Sequence, residues 1–221
     1  MLIAGVDEAG RGPCFGPMVI AITVCDSSKE KTLKEMGIKD SKLLTEKKRD
    51  SLFEPIKEIV EEHQILSLEP REINSMMTRE SLNEIEAIKI AELINKLDSK
   101  PEKVFVDSPD AIAKNFEKRI RKYLTNERQK IIIVSENKAD SKYLIVGAAS
   151  ILAKVSRDNA IKELAKKYGD FGSGYPSDPY TKEYLAKYVK ETGKLPPFSR
   201  IFWKTCENAL EVRGTKQEKL F

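Results

Sequence analysis

With 221 residues, 40% hydrophobic and 33% charged, the chain is sized for one substantial core; two small domains are the less favoured division. Lys and Arg number 39 against 35 acids, a net +4, and no apolar run nears the ~18 residues of a membrane helix, so no membrane contact is expected. One histidine and three cysteines without metal spacing leave little raw material for a histidine zinc centre, a Ser-His-Asp triad or a disulfide scaffold. Any hydrolytic metal site must be built mainly from carboxylates. The opening M-L-I-A-G-V-D-E has no basic start and meets charge too soon for a secretory leader, so a cytoplasmic protein is expected.

Residues 2–6 and 18–25 read as short strands, punctuated by glycines and prolines between 10 and 17. Helical character follows, with breaks expected near Gly37 and Pro55 and a cap at Thr45. His63, in E-E-H-Q, is expected on a helix surface, and Met76-Met77 reads as core filler. Residues 81–97 carry apolar positions at the helix period, opened by Ser81 and Glu84 as a capping box. K-V-F-V-D at 103–107 is a strand ending in an acid, 111–124 a basic helix, and 131–134 another strand. A helix is expected from Asp140 to Tyr168, stopped by Gly169, with Ala148, Ala149 and Ala153 allowing close packing on the sheet. F-G-S-G-Y-P-S-D-P is loop, and 179–192 is a further helix. Strands separated by helices point to an α/β layer. Residues 29–49 carry eight Lys/Arg against four acids and 111–130 carry seven against two. Each run alone reads as a solvated helix face.

The stretch D-E-A-G-R-G-P places Asp7 and Glu8 directly after an apolar strand. On one strand they point to opposite faces, so both join one site only if the strand ends or twists there, which Gly10 and Gly12 permit. Asp107 ends a second apolar strand, and Asp140 precedes a helix. Each acid alone is an ordinary strand end or cap. Together, with few other ligands in the chain, they suit hard divalent cations that want oxygen donors. A dinucleotide-binding turn is rejected: the order G-x-G-x-x-G is missing, and two acids stand where a pyrophosphate would sit.

D-E-A-G-R-G-P at 7–13, D-S-K-L-L at 40–44, V-D at 106–107, K-A-D-S-K-Y at 138–143, A-A-S-I-L-A-K-V-S-R-D at 148–158 and G-S-G-Y-P-S-D at 172–178 resemble type 2 ribonuclease H, ribonuclease HII, in its archaeal single-chain form. The resemblance spans roughly residues 2–180, with the segments in family order. It implies a ribonuclease H-like mixed sheet flanked by helices, with a catalytic domain at 1–180 and a C-terminal helical subdomain at 181–221. It implies an endoribonuclease that cuts the RNA strand of RNA–DNA hybrids and incises 5′ of ribonucleotides embedded in duplex DNA. The expected products carry 3′-hydroxyl and 5′-phosphate ends. The family's catalytic and metal-binding acids fall on Asp7, Glu8, Asp107 and Asp140, with two Mg²⁺ or Mn²⁺ ions expected during catalysis. Its Gly-Arg-Gly segment falls on Gly10, Arg11 and Gly12, and its junction tyrosine on Tyr175. Late in the chain R-x-S-W becomes Arg200-Ile201-Phe202-Trp203, a departure at Phe202. The end, T-K-Q-E-K-L-F, resembles a shortened sliding-clamp peptide through Gln217, Leu220 and Phe221. A monomer is expected.

Chemistry assigns Asp7 as the central bridging ligand, because its strand is the most apolar. Glu8 and Asp107 go with one ion and Asp140 with the ion on the nucleophile side. Telling RNA from DNA means reading the 2′-hydroxyl. Gly10-Arg11-Gly12 lets backbone approach a sugar, Arg11 adds a forked phosphate donor, and Tyr175 can lie against the ribose. Lys42 is expected to neutralise a phosphate, and Lys154 with Asp158 to form a structural pair. Two other readings stay open. One is a DNA-only junction nuclease or recombinase of the same wider fold, which would have no 2′-hydroxyl to read. The other is a non-catalytic nucleic-acid-binding protein, disfavoured because paired carboxylates weaken phosphate binding.

Overall fold

The computed structural model describes residues 1–38 and 44–218, with side chains to residue 211. Five strands form one mixed sheet in the order β3-β2-β1-β4-β5. These are β1 (Leu2–Ala9), β2 (Met18–Asp26), β3 (Glu62–Leu68), β4 (Lys103–Asp107) and β5 (Ile132–Glu136). β1 pairs antiparallel with β2, from Leu2↔Asp26 to Ala9↔Val19, and parallel with β4; β4 pairs parallel with β5. The helices are α1 (Glu30–Glu35), α2 (Glu46–Ile59), α3 (Pro70–Met77), α4 (Leu82–Lys96), α5 (Ala113–Lys122), α6 (Ala139–Lys142), α7 (Leu144–Tyr168), α8 (Pro179–Thr192) and α9 (Lys204–Glu218).

The chain packs as two units that interleave in sequence. One holds Met1–Ala9, Val19–Ser67 and Glu80–Ser156; the other holds Gly10–Met18, Leu68–Arg79 and Arg157–Phe221. In the first unit Ile3, Val19 and Ala21 of the sheet pack with Leu52 and Ile56 of α2 and with Ile145, Val146, Ala148, Ala149 and Leu152 of α7. The small residues of α7 serve this contact: Ala148, Ala149 and Ala153 are fully buried. At Gly5 a side chain would run into the backbone of Ile145, so only glycine lets α7 lie this close to the central strand. Thr23 Oγ1 donates to Ile145 O at 2.9 Å and fixes the start of α7. In the second unit Phe15, Phe171 and Phe198 form an edge-and-face aromatic cluster with Leu185 and Val189 of α8.

Local signals explain most boundaries. Thr45 Oγ1 accepts the Lys48 N–H, and Ser81 Oγ accepts the Glu84 N–H, capping α2 and α4. Gly169 takes φ +85° and its N–H bonds to Ala165 O, ending α7. Several expectations are corrected. α2 runs through Pro55, because Leu52 and Ile56 are buried on either side and their packing offsets a break of about 3 kcal/mol. His63 lies on β3, a strand whose weak alternation hid it, where Glu61 N–H already bonds to Val24 O of β2. Met76 and Met77 are only partly buried; Ile73 is the core residue of α3. The capping box is half made: the Glu84 carboxylate is taken by Arg119, Lys122 and Tyr123 instead. Asp140 lies inside the short helix α6, and the chain breaks at Tyr143 before α7 begins.

Candidate active site

The four acids all belong to the first unit. β1 does not end at Asp7 and Glu8, one of the two ways, ending or twisting, in which both could join one site; pairing with β2 continues to Ala9. The parallel register of β1 and β4 runs to Val6↔Val106, so Asp7 and Asp107 follow that pair side by side. Asp107 Oδ1 accepts the Ala139 N–H at 2.7 Å, which brings the start of α6, and with it Asp140, to the end of β4. The turn into α6 uses Lys138 at φ 58°, ψ 40°. This left-handed conformation costs a residue with a Cβ about 1–2 kcal/mol. It is the one non-glycine residue with positive φ among those described.

Asp7 and Asp140 are each 5% exposed, while Glu8 and Asp107 are partly buried. Asp7 Oδ1 accepts the Glu8 N–H at 2.8 Å, and Ser150 of α7 hydrogen-bonds the Asp7 side chain. Burial pushes the Asp7 carboxyl well above the usual carboxylate range. The negative charge of Glu8 adds to this, Ser150 opposes it, and Asp107 and Asp140 raise it further. The four acids share one neighbourhood rather than a closed cage. Among the described residues no three His, Cys, Asp or Glu side chains are drawn up as metal ligands.

The expected substrate-reading residues Gly10, Arg11, Gly12 and Tyr175 belong to the second unit. Gly10 has φ +80°, and a Cβ there would lie 2.7 Å from Arg157 Nε and 2.8 Å from Pro17 O, so both conformation and space demand glycine. A Cβ on Gly12 would meet the Tyr175 ring at 3.4 Å, placing the two expected residues in contact range. Tyr175 is 39% exposed, and one ring face lies 5.3 Å from the Arg157 guanidinium. Arg157 is buried, donates from Nη2 to Ser173 O at 3.2 Å, and leaves Nε without a hydrogen-bond acceptor. The Tyr175 loop is braced by Asp178, whose carboxylate accepts Ser173 N–H at 2.6 Å and Ser173 Oγ at 2.7 Å, and by Thr181 Oγ1, which accepts Gly174 N–H at 2.9 Å.

Arg200 organises the Gly-Arg-Gly turn from behind. Its fully buried guanidinium donates to Gly10 O (2.6 Å), Arg11 O (3.0 Å) and Gly16 O (3.0 Å) and lies 4.9 Å from the Trp203 ring centre. Trp203 Nε1 donates to Gly12 O at 3.0 Å. The carbonyls of Gly10, Arg11 and Gly12 are thus held by two guanidinium N–H groups and one ring N–H, and the third guanidinium donor holds Gly16. Phe202 is 39% exposed and takes no part, so its departure from the family pattern leaves this scaffold intact.

Sequence reasoning missed the roles of Ser150, Arg157 and Arg200, although all three fall inside segments it had singled out. The one signal was a serine in an otherwise apolar stretch of α7; the two arginines carried none, since only the fold buries them. For Lys154 and Asp158 the ion pair that stands out is Asp158 with its neighbour Arg157, at 3.7 Å. Lys42, Leu220 and Phe221 lie outside the described residues, and the backbone of Gln217 lies in α9. Three of the seven cations in the basic run at 111–130 pair with acids of this chain. Arg119 pairs with Glu84 and Asp110, Arg121 with Glu117, and Lys122 with Glu84. No helix among the described residues is long and apolar enough to cross a membrane.

A family model described as Ribonuclease HII matches residues 4–206. Ribonuclease HII of Pyrococcus horikoshii is 46% identical over 218 residues, covering 99% of this chain and 96% of that one. The crystal structure of ribonuclease H2 from Pyrococcus horikoshii OT3 superposes with a TM-score of 0.89 at 45% identity, covering 96% of this chain and 98% of that one. RNase HII in a PCNA:RNase HII complex from Archaeoglobus fulgidus gives a TM-score of 0.83 at 40% identity, covering 92% and 96%. Agreement of this kind over nearly the whole length, on one mixed five-stranded sheet, settles the family: the chain belongs to ribonuclease HII, the type 2 ribonucleases H, endoribonucleases that hydrolyse RNA in RNA–DNA hybrids.

Proposed function

We propose that Asp7, Glu8, Asp107 and Asp140 form the catalytic centre and bind two divalent cations, Mg²⁺ or Mn²⁺. The observation that carries this reading is the Asp7 carboxyl, buried and pushed toward its protonated form by burial and by three other acids. Such a cluster is unfavourable alone and fits a hard cation, since every donor is a carboxylate oxygen. Bound there, divalent ions would stabilise charge on the phosphodiester and lower the pKa of the attacking water.

The chain's own residues supply orientation. Ser150 and the Glu8 N–H hold the Asp7 carboxylate in one rotamer, and the Ala139 N–H does the same for Asp107. Gly10, Arg11 and Gly12 follow Glu8 by one residue in the chain and would present backbone N–H groups to the ribose, with Arg11 on a phosphate. The Tyr175 ring, backed by Arg157, would lie against the sugar and bond the 2′-oxygen. The substrates are RNA–DNA hybrids and duplex DNA with an embedded ribonucleotide, incised on its 5′ side to leave 3′-hydroxyl and 5′-phosphate ends. Lys42 would neutralise a substrate phosphate. Residues 1–180 would carry catalysis, with 181–221 as a helical extension in a monomeric, cytoplasmic protein. The relative crystallised with PCNA supports a sliding-clamp partner, here through Gln217, Leu220 and Phe221.

The test is cleavage of an end-labelled duplex containing one ribonucleotide, with Mg²⁺, with Mn²⁺ and with chelator, beside an all-DNA duplex. Metal-dependent cutting 5′ of the ribonucleotide alone is expected. Equal cutting of the all-DNA duplex would favour a DNA-only junction nuclease, and no cutting of any duplex a binding protein.

A further inference from the structure

Two of the three cysteines lie in the second unit, behind the Gly-Arg-Gly turn. Residues 12–15 run alongside 199–206: Arg200 N–H bonds to Cys14 O at 2.8 Å, Trp203 Nε1 to Gly12 O at 3.0 Å, and Phe15 bridges antiparallel to Ser199. Cys206, in the first turn of α9, bonds back to Trp203 O through its N–H at 2.8 Å. The two thiols are fully buried in the same aromatic cluster and share a hydrogen bond. The Cys14 S–H in turn donates to Gly174 O at 3.3 Å, next to Tyr175, a bond that is given up when Cys14 ionises.

The two sulfurs differ in character. The Cys206 S–H donating to Cys14 lowers the Cys14 thiol from its ordinary value, helped by a backbone bond and the Arg200 charge and opposed by burial, while the same bond holds Cys206 in its thiol form. A thiolate beside a thiol is the pairing of an attacking and a resolving cysteine. Burial excludes bulky oxidants, but a peroxide is little larger than water.

We propose that Cys14 and Cys206 are a dithiol–disulfide pair, oxidised within the folded protein by hydrogen peroxide, that pins the loop of residues 10–14 to α9. The Cys14 thiolate attacks one peroxide oxygen; an S–O bond forms, the O–O bond breaks, and hydroxide leaves. The Cys206 sulfur then attacks the Cys14 sulfur; the S–S bond forms and the S–O bond breaks. The hydroxyl group takes the Cys206 proton and departs as water, and the proton that Cys14 released on ionising converts the first hydroxide to the second water. Two thiols are oxidised and one peroxide is reduced to two waters. The bond would close a loop of nearly the whole chain, the case in which a cross-link constrains the unfolded state most. Cys25, in the other unit, is the internal control: it is buried apart from the pair, and burial together with Glu61 pushes its thiol up to about 12.

The test treats the full-length protein with hydrogen peroxide in native buffer, quenches with an alkylating agent in denaturant, which exposes the buried thiols to it, and maps peptides without reduction. A Cys14–Cys206 linked peptide, an alkylated Cys25 and a Tm higher by several degrees, reversed by dithiothreitol, are expected. In Cys206→Ser, dimedone added with a denaturing quench should trap a sulfenic acid on Cys14; in Cys14→Ser, Cys206 should form the dimedone adduct at least about tenfold more slowly over the time of peroxide exposure. The absence of a linked peptide, oxidation of Cys25 in step with the other two, or equal labelling of the two single variants would overturn the proposal. If either variant fails to fold, the wild-type peptide map decides alone.

Discussion

Replacing Asp7 by Asn should abolish cleavage and, in metal-free buffer, stabilise the fold. Asn keeps an oxygen for the Glu8 N–H and a polar group for Ser150, so the local hydrogen bonds persist. What it removes is a charge that is 5% exposed among three other acids. One like-charge contact at about 5 Å costs about 3 kcal/mol at an effective dielectric near 20. Part of that is already avoided because Asp7 holds its proton more tightly, so a net gain of about 2 kcal/mol is expected, a Tm higher by about 4–8 °C for a chain of this length. The sign follows from linkage. The native pKa lies above the unfolded value, so wild-type stability is fully present below the ordinary carboxylate range and is lost as pH rises through the native value. The advantage of the Asn variant should therefore be seen at neutral pH in EDTA and vanish near pH 4. Added Mg²⁺ should raise the Tm of wild type but barely that of the variant, because only a bound ligand shifts the folding equilibrium. Calorimetry from pH 4 to 8 with and without metal, beside single-turnover cleavage, gives both readouts. A variant that is less stable than wild type in neutral EDTA, or that cleaves comparably at saturating Mg²⁺, would refute the argument.

Tyr175→Ala should lower kcat on a single embedded ribonucleotide by about 10–100-fold, about 1.4–2.7 kcal/mol, with little change in Kd measured in Ca²⁺. Tyr175→Phe keeps the ring on Arg157 and isolates the hydroxyl. Arg200→Lys should destabilise by about 2–4 kcal/mol, since an ammonium cannot serve three carbonyls set for a guanidinium fork; urea unfolding measures it. Deleting residues 215–221 should abolish sliding-clamp binding in titration calorimetry and leave intrinsic turnover within about twofold.

Much of the architecture could be read from local pattern. Strands β1, β2, β4 and β5 announced themselves as apolar runs, and α4 and α8 by period and caps. β3 did not, because its residues are only partly buried and alternate weakly; β2 supplies the reason for its existence, and that partner is distant in sequence. The acids were legible for a different reason. A strand that runs into a carboxylate is a local event, and few other ligands competed for the role. Their geometry was less so. Of the two ways in which β1 could bring Asp7 and Glu8 to one site, ending or twisting, pairing with β2 as far as Ala9 removes the first.

The residues that hold the site in shape were the hardest to see, and the physics explains why. Ser150 is one hydroxyl on a helix packed for closeness, and nothing in A-A-S-I-L says that it meets a carboxylate from a strand some 140 positions away. Arg157 and Arg200 look like surface charges in sequence, since arginine is rarely buried. Their burial becomes favourable only once the fold supplies acceptors: the carbonyls of Gly10, Arg11 and Gly16 for one, and Ser173 O with the Tyr175 ring for the other. A glycine-rich turn is cheap to bend and for that reason poor at holding a shape. Precision at Gly10–Gly12 therefore has to be imported from side chains elsewhere in the chain, and a rigid, multiply bonded guanidinium is the group best suited to supply it.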